Sequence, residues 1–291
     1  MRIAREPAEL GTGPRAVGLG TFDGVHLGHR RVIEAVLEAG PEPTVVTFDP
    51  HPRTALGNRV ELLSTLDRRL ELLAEAGVEA ALVVDFTLDM ARLAPEEFVD
   101  QVLRQIGTET VVAGADFRFG RGRQGDLGLL ERLGFDTRPV PLLEGVSSSR
   151  IRELVQAGDV EGAAHLLGRP VEVEGVVVAG DARGGTLGFP TANLDVRPEL
   201  LVPGNGIYAG AAVKHRAAVS IGTNPHYGGR ERRVEAFLLD FSGDLYGQRL
   251  VVELWQRLRD ERAFADESEL IAQIGLDVEA TRAAEPPVQS L

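Results

Sequence analysis

Hydrophobic and polar positions follow two different rhythms along this chain. Up to about residue 134, short runs of β-branched and aliphatic residues alternate with stretches whose apolar positions recur every three to four residues. The runs predict strands over 16–22, 44–48, 80–86 and 110–114, and the stretches between them predict helices over 28–37, 66–76, 95–106 and 127–133. Pro95 stands in a first helical turn, where its missing N–H has no partner to lose. Strand–helix alternation at this spacing implies right-handed crossovers and a parallel sheet, which binds ligands beyond the carboxyl ends of its strands. Residues 1–167 are therefore expected to form a Rossmann-like α/β domain that ends in two short helices, over 148–156 and 160–167.

The texture changes at Gly168-Arg169-Pro170. Segments 171–178, 206–213, 217–221, 234–241 and 248–255 are β-rich, with Gly, Pro, Asn and Asp turns but no helical stretch between them. Short strands in succession predict a small antiparallel β-barrel over 168–291. A helix over 267–283 closes the chain, followed by a frayed tail from Glu285.

Composition narrows the class. The 291 residues suffice for two cores. No run of about 18 apolar residues occurs, the first residues Met1-Arg-Ile-Ala-Arg-Glu-Pro form no export segment, and cysteine is absent. A disulfide framework and a thiolate metal site are thereby excluded, and the expected compartment is the cytoplasm, with no membrane partner. A net charge of -13 argues against nucleic acid as a partner. Lys214 is the only lysine, which excludes a Walker-A loop with its Gly-Lys-Ser/Thr ending.

The first chemical candidate is Gly20-Thr-Phe-Asp-Gly-Val-His26-Leu-Gly-His29, where the first strand meets the first helix. Glycines there let the backbone approach a phosphate, and the helix N-terminus offers free N–H groups. Two histidines three apart can serve one triphosphate by stabilising charge on the α-phosphate and on leaving pyrophosphate. Surface or metal-binding histidines are the plainer alternative, but the preceding strand and the glycine at the helix start favour phosphate. The pattern resembles the His-x-Gly-His signature of the nucleotidylyltransferase superfamily.

Three further segments extend the likeness. Thr47-Phe-Asp-Pro-His-Pro52 ends the second strand in a rigid loop. Gly114-Ala-Asp-Phe-Arg-Phe-Gly120-Arg-Gly-Arg-Gln-Gly-Asp126 follows the fourth, with aromatics to flank a ring and arginines to meet a phosphate; a solvated Arg-Gly connector is the alternative. Val146-Ser-Ser-Ser-Arg-Ile-Arg152 opens a helix with hydroxyls that either cap it or bind phosphate oxygens. In this order the four motifs resemble the FMN adenylyltransferase module of prokaryotic bifunctional riboflavin kinase/FAD synthetases. The resemblance implies ATP binding by Gly20, Phe22, His26, His29, Ser148, Ser149 and Arg152, with His29 catalytic, and flavin binding by Asp116, Phe117 and Arg118. The family usually has Thr where Ser149 stands, and some relatives have Asn where Asp116 stands.

The second candidate lies in the β-rich half. Gly180-Asp-Ala-Arg-Gly-Gly-Thr-Leu-Gly-Phe-Pro-Thr191-Ala-Asn193 is glycine-rich, and its N–H groups suit a phosphate without a lysine. Thr191 and Asn193 alternate on an extended segment, so both oxygens can face one Mg²⁺. An ordinary glycine-rich turn before an edge strand would look similar. Phe-Pro-Thr-Ala-Asn resembles the metal-binding signature of riboflavin kinases, which implies ATP contacts from Gly180, Arg183, Gly185 and Thr191, a metal at Thr191 and Asn193, and a catalytic part for Asn193. The family often has Arg where Gly185 stands. Glu235 lies on a later strand, facing the same side as Phe237; it is either a solvent-facing carboxylate or, as the family implies, the base that accepts a ribityl hydroxyl proton.

The resemblance spans about residues 16–282 and implies two reactions. Riboflavin and ATP give FMN and ADP; FMN and ATP give FAD and pyrophosphate, both with Mg²⁺. Other nucleotidylyltransferases share His-x-Gly-His but would lack Phe-Pro-Thr-Ala-Asn. A flavin-binding sensor without catalysis should have lost Glu235, Asn193 or a histidine, and all three kinds are present. Asn224-Pro-His-Tyr227, with His226, and Leu258-Arg-Asp-Glu261, with Arg259 and Glu261, also look family-like and have no assigned chemistry.

Overall fold

The computed structural model describes residues 1–180, 188–223 and 232–287. The chain divides into two compact units, Met1–Val60 with Thr65–Val146, and Glu61–Ser64 with Ser147–Leu291.

The first unit is a parallel sheet of β1 (Arg2–Ala4), β2 (Arg15–Leu19), β3 (Thr44–Asp49), β4 (Ala80–Asp85), β5 (Thr108–Gly114) and β6 (Asp136–Val140). Their order is β1-β4-β3-β2-β5-β6. Helices α1 (Leu27–Ala39), α2 (Pro52–Ala55), α3 (Leu66–Glu75), α4 (Pro95–Phe98) and α5 (Leu127–Arg132) connect the strands, and α4 runs on as a wider π turn over Val99–Leu103. The sheet is covered on both faces, so its central strands are apolar throughout rather than alternating. Val17, Leu19, Val46, Phe48, Leu82 and Val111 join one core. Ala16, Val45, Ala81, Val83 and Val112, their neighbours in sequence, join the other.

Two strands escaped the sequence pattern, and both lie at sheet edges. β1 has three residues. β6 buries only Val140 and contains Pro139, so it carries neither an apolar run nor a full set of donors. The first predicted strand was also too long. β2 stops at Leu19, and the apolar residues beyond it form a turn in which Phe22 and Val25 adopt φ of 50° and 39°.

β2 lies between β3 and β5, and the chain order reverses there: β3 and β4 build out one way and β5 and β6 the other. The turn after β2, the end of β3 and the loop after β5 therefore leave from three adjacent strands, at the edge where such sheets bind ligands.

The second unit is a closed antiparallel barrel of β7 (Val171–Val178), β8 (Ala192–Asp195), β9 (Gly206–Ala212), β10 (His215–Thr223), β11 (Arg232–Leu238) and β12 (Arg249–Arg259). The extended segment through Asn193 is the sixth strand. Val173, Val177, Leu194, Val219, Ile221, Val234, Ala236 and Val252 fill the interior. Helix α8 (Glu267–Ala283) spans the predicted residues and buries Asp277, Val278 and Thr281.

Helices α6 (Ser148–Ala157) and α7 (Val160–Leu167) pack with the barrel. Ile151, Val155, Val160, Ala163 and Leu167 share its core. The change of texture at residue 168 marks the first barrel strand, whereas the packing boundary falls between Val146 and Ser147. Helical periodicity shows that a helix has an apolar face, but not which unit that face covers.

Candidate active sites

In the first unit the site is built on the turn between β2 and α1. Gly20 N–H donates to the Val46 carbonyl at 3.3 Å, after which the chain wraps over the buried Phe22. Positive φ at Phe22, Gly24 and Val25 makes this a turn of fixed and costly shape. It delivers His26 to the N-cap of α1, where Nδ1 accepts from the His29 N–H at 3.3 Å. The two imidazoles then stack with centroids 3.6 Å apart and planes 14° from parallel. Gly28 leaves room for the stacked ring, since a Cβ there would stand 3.1 Å from the His26 imidazole, a tight contact. His26 is buried and His29 half-buried, with its Nδ1 shut off from solvent and without a partner among the described residues. Burial, then His26, then Arg69 push His29 well below the ordinary 6.5, so its imidazole is neutral near pH 7.

Arg69 was not anticipated. It projects from α3 with 1% of its surface exposed. One Nη1 donates to the Thr47 hydroxyl at 3.3 Å and to the Phe48 carbonyl at 3.1 Å. The sequence did hold a signal: Leu66, Leu70 and Leu73 form the inward stripe of α3, and Arg69 falls on that stripe.

The loop after β5 is anchored rather than free. Phe119 is buried against Phe98, with centroids 5.6 Å apart, and pairs with Gly125, where any Cβ would lie 2.8 Å from its ring. Phe117 stacks on Phe119 at 6.0 Å. Arg118, however, is already 2.5 Å from Asp126. Asp126 also caps α5 by accepting from Leu129 N–H, and these contacts hold its carboxyl below the usual range. A flavin phosphate would have to compete with Asp126 for Arg118. Asp116 is exposed, with Oδ1 turned towards Gly114.

Ser148, Ser149 and Arg152 stand on the first turns of α6, in the second unit. The cap itself is Ser147, which accepts from Arg150 N–H at 3.2 Å, so the capping alternative falls to a neighbour of the two predicted serines. Arg152 Nε donates to the Glu61 carbonyl at 2.7 Å. Val146, the last residue of the first unit, lies 3.9 Å from the place a Gly28 side chain would take.

In the barrel, β11 alternates as expected: Val234, Ala236 and Leu238 point inwards, and Arg233, Glu235 and Phe237 lie on the other face. The register with β8 sets Asn193 directly opposite Glu235. Thr191 Oγ1 donates to Glu235 Oε2 at 3.4 Å, and Arg233 Nη1 stands 3.4 Å from Oε1. The strands thus bring all three predicted groups together. Gly180 has a role its glycine character did not reveal, since a Cβ there would collide with the Asn193 amide. Beside Thr191 opens a cavity of about 390 Å³, lined by Val177, Ala192, Ala236, Leu238, Phe241 and Tyr246 among others. Arg183 and Gly185 lie outside the described residues, as does Asn224-Pro-His-Tyr227. Arg259 is bound to Asp277 in a bidentate pair that ties β12 to α8, a structural use.

Comparison with known proteins finds a family match in each half of the chain. The family model for FAD synthetase matches residues 11–149, and that for riboflavin kinase matches residues 167–284. The bifunctional riboflavin kinase/FMN adenylyltransferase of Listeria monocytogenes is 36% identical over 92% of each chain. Its counterpart in Escherichia coli K12 is 35% identical over 95% of this chain and 96% of its own. A solved structure from Streptococcus pneumoniae, described as a macrolide-efflux protein, is 31% identical and matches with a TM-score of 0.86 over 96% of this chain and 98% of that one. Among the described residues no helix is long and apolar enough to cross a membrane. With both family models in sequence on one chain, and bifunctional relatives matched along nearly their full length, the protein belongs to the riboflavin kinase/FMN adenylyltransferase family and is an ATP-using transferase that makes FMN and FAD.

Proposed function

We propose that the two reactions occur at the two sites described, FMN adenylylation with residues 1–167 and riboflavin phosphorylation with residues 168–291. The scaffold of the kinase extends back to Ser147. The placement of Asn193 opposite Glu235, with Thr191 Oγ1 3.4 Å from the same carboxylate, carries the kinase half. Glu235 takes the proton of the ribityl hydroxyl as that oxygen attacks the γ-phosphorus, the β–γ bridge breaks, and ADP leaves. Thr191 and Asn193 offer neutral oxygen donors, and Gly180 leaves room beside the amide, a set that suits a hard cation. Mg²⁺ there would neutralise the ATP phosphates. The largely apolar cavity beside Thr191 suits the adenine base.

In the first unit an FMN phosphate oxygen attacks the α-phosphorus of ATP and pyrophosphate leaves. His26, at the N-terminus of α1, and neutral His29 place imidazole donors where charge develops. Gly20 and Phe22 shape the turn, and Asp116, Phe117 and Arg118 receive the flavin. A net charge of -13 argues against nucleic acid or an anionic membrane surface as a partner.

A pair of variants tests the assignment. Glu235→Gln should lose roughly two to four orders of magnitude in FMN formation while converting supplied FMN to FAD normally. His29→Ala should show the reverse pattern, with FAD formation down on the order of a hundredfold. Chromatography of flavins after incubation with ATP and Mg²⁺ reads both. A kinase loss below tenfold in folded Glu235→Gln would remove Glu235 as the base.

A further inference from the structure

We propose that Arg69 is a positioning residue for adenylyl transfer, a buried cation behind the phosphate-binding turn whose charge is balanced by the polyphosphate of ATP. The proposal rests on the turn from Gly20 to His29 being the ATP site.

An arginine with 1% exposure is ordinarily paired with a carboxylate. Among the described residues Arg69 forms no ion pair. Its hydrogen bonds go to a neutral hydroxyl and a carbonyl, and its Nε, also buried, has no partner. Asp23 and Asp49 favour its charge only through space, while burial works against it. Leu70, Leu72 and Leu73 are buried on the same helix, so an apolar residue at position 69 would pack α3 without that cost. A charge kept under these conditions is explained by a ligand that supplies the missing anion.

The contacts tie this cation to the turn between β2 and α1. Thr47 Oγ1, which accepts from Arg69, donates to the Thr21 carbonyl at 3.0 Å. The guanidinium therefore braces, through one hydroxyl, the turn that presents Gly20, His26 and His29. Through Phe48 it also holds the end of β3, the strand next to that turn. Its field reaches His29, which faces His26 on the turn and Arg69 on α3, while Asp23 and Asp49 oppose that field. One cation thus fixes the turn and disfavours a proton on His29, and a polyanion at the carboxyl edge of the sheet would supply the charge partner it lacks.

Arg69→Met and Arg69→Lys in the full chain separate charge from packing. FAD formation from FMN is followed against ATP concentration, with riboflavin phosphorylation on the same samples as a control for the second unit. Arg69→Met should raise the ATP KM and lower kcat/KM by about tenfold or more, and Arg69→Lys should restore it to within about threefold. In ¹⁵N-histidine NMR spectra the His29 titration should move upward in Arg69→Met and stay put in Arg69→Lys. Parental ATP kinetics in Arg69→Met would overturn the proposal. So would a loss of FAD formation with the ATP KM and the His29 titration both unmoved, which marks a purely structural arginine. His29→Ala run alongside tests the underlying site: full FAD formation there refutes the site, whereas its loss together with an unaffected Arg69→Met refutes only the role of Arg69.

Discussion

At the scale of single residues, the turn before α1 shows how chemistry is set by packing. The His29 imidazole is held neutral near pH 7 because burial, His26 and Arg69 all act against its proton. The same shift makes stability depend on pH. The unfolded chain binds a proton at His29 below about pH 6.5, and the folded chain refuses it until its lower folded value is reached. The contribution of His29 is therefore fully present above about pH 6.5 and falls as pH drops through the window beneath it. The depressed carboxyls Asp126, Asp240 and Asp266 act lower, since their contributions are lost only below about pH 4, as pH falls through their folded values. Thermal melting of the first unit between about pH 7.5 and 5 should thus fall with pH in the parent and fall less in His29→Gln. Equal slopes would mean that His29 titrates alike in both states. Gly28 belongs to this scale as well. The His-x-Gly-His spacing was legible in the sequence, but the reason for its glycine, a ring 3.1 Å from the missing Cβ, was not.

At the scale of elements, legibility followed burial pattern. The central strands and α3, α6 and α7 stood out because apolar runs or helical stripes mark them. The edge strands β1 and β6 did not, because a short or mostly exposed strand carries no such mark. Helix α7 gives a direct test of how elements are shared. Leu167 is 3% exposed within the barrel core, although it precedes the first barrel strand. Leu167→Ala should cost the second unit about 2–5 kcal/mol, read by denaturant unfolding followed through loss of riboflavin phosphorylation. If the barrel unfolds at an unchanged midpoint, α7 is not part of its core.

For the whole molecule, the same contacts predict how the chain can be divided. A fragment of residues 147–291 keeps Ile151, Val155, Val160, Ala163 and Leu167, whereas 168–291 exposes the barrel surface these residues cover. The longer fragment should fold, phosphorylate riboflavin and make no FAD, and it should melt well above the shorter one. Neither includes Glu61–Ser64, where Leu62 N–H donates to the Glu199 carbonyl and Leu201 N–H to the Leu62 carbonyl, so both should melt below the full chain. Similar melting of the two fragments would place the boundary at residue 168 after all. By itself the sequence determined an α/β half and a β-barrel half, their order and the family. All of these are written in local periodicity or in motifs contiguous along the chain. Only the tertiary structure decided that α6 and α7 serve the barrel, that Asn193 pairs with Glu235, that Gly180 makes room for Asn193, and that a buried arginine with no ion pair among the described residues braces the turn of the histidines. Each of these depends on which distant residue arrives against a given face, and a chain's local pattern of apolar and polar side chains records that a face is buried but not what buries it.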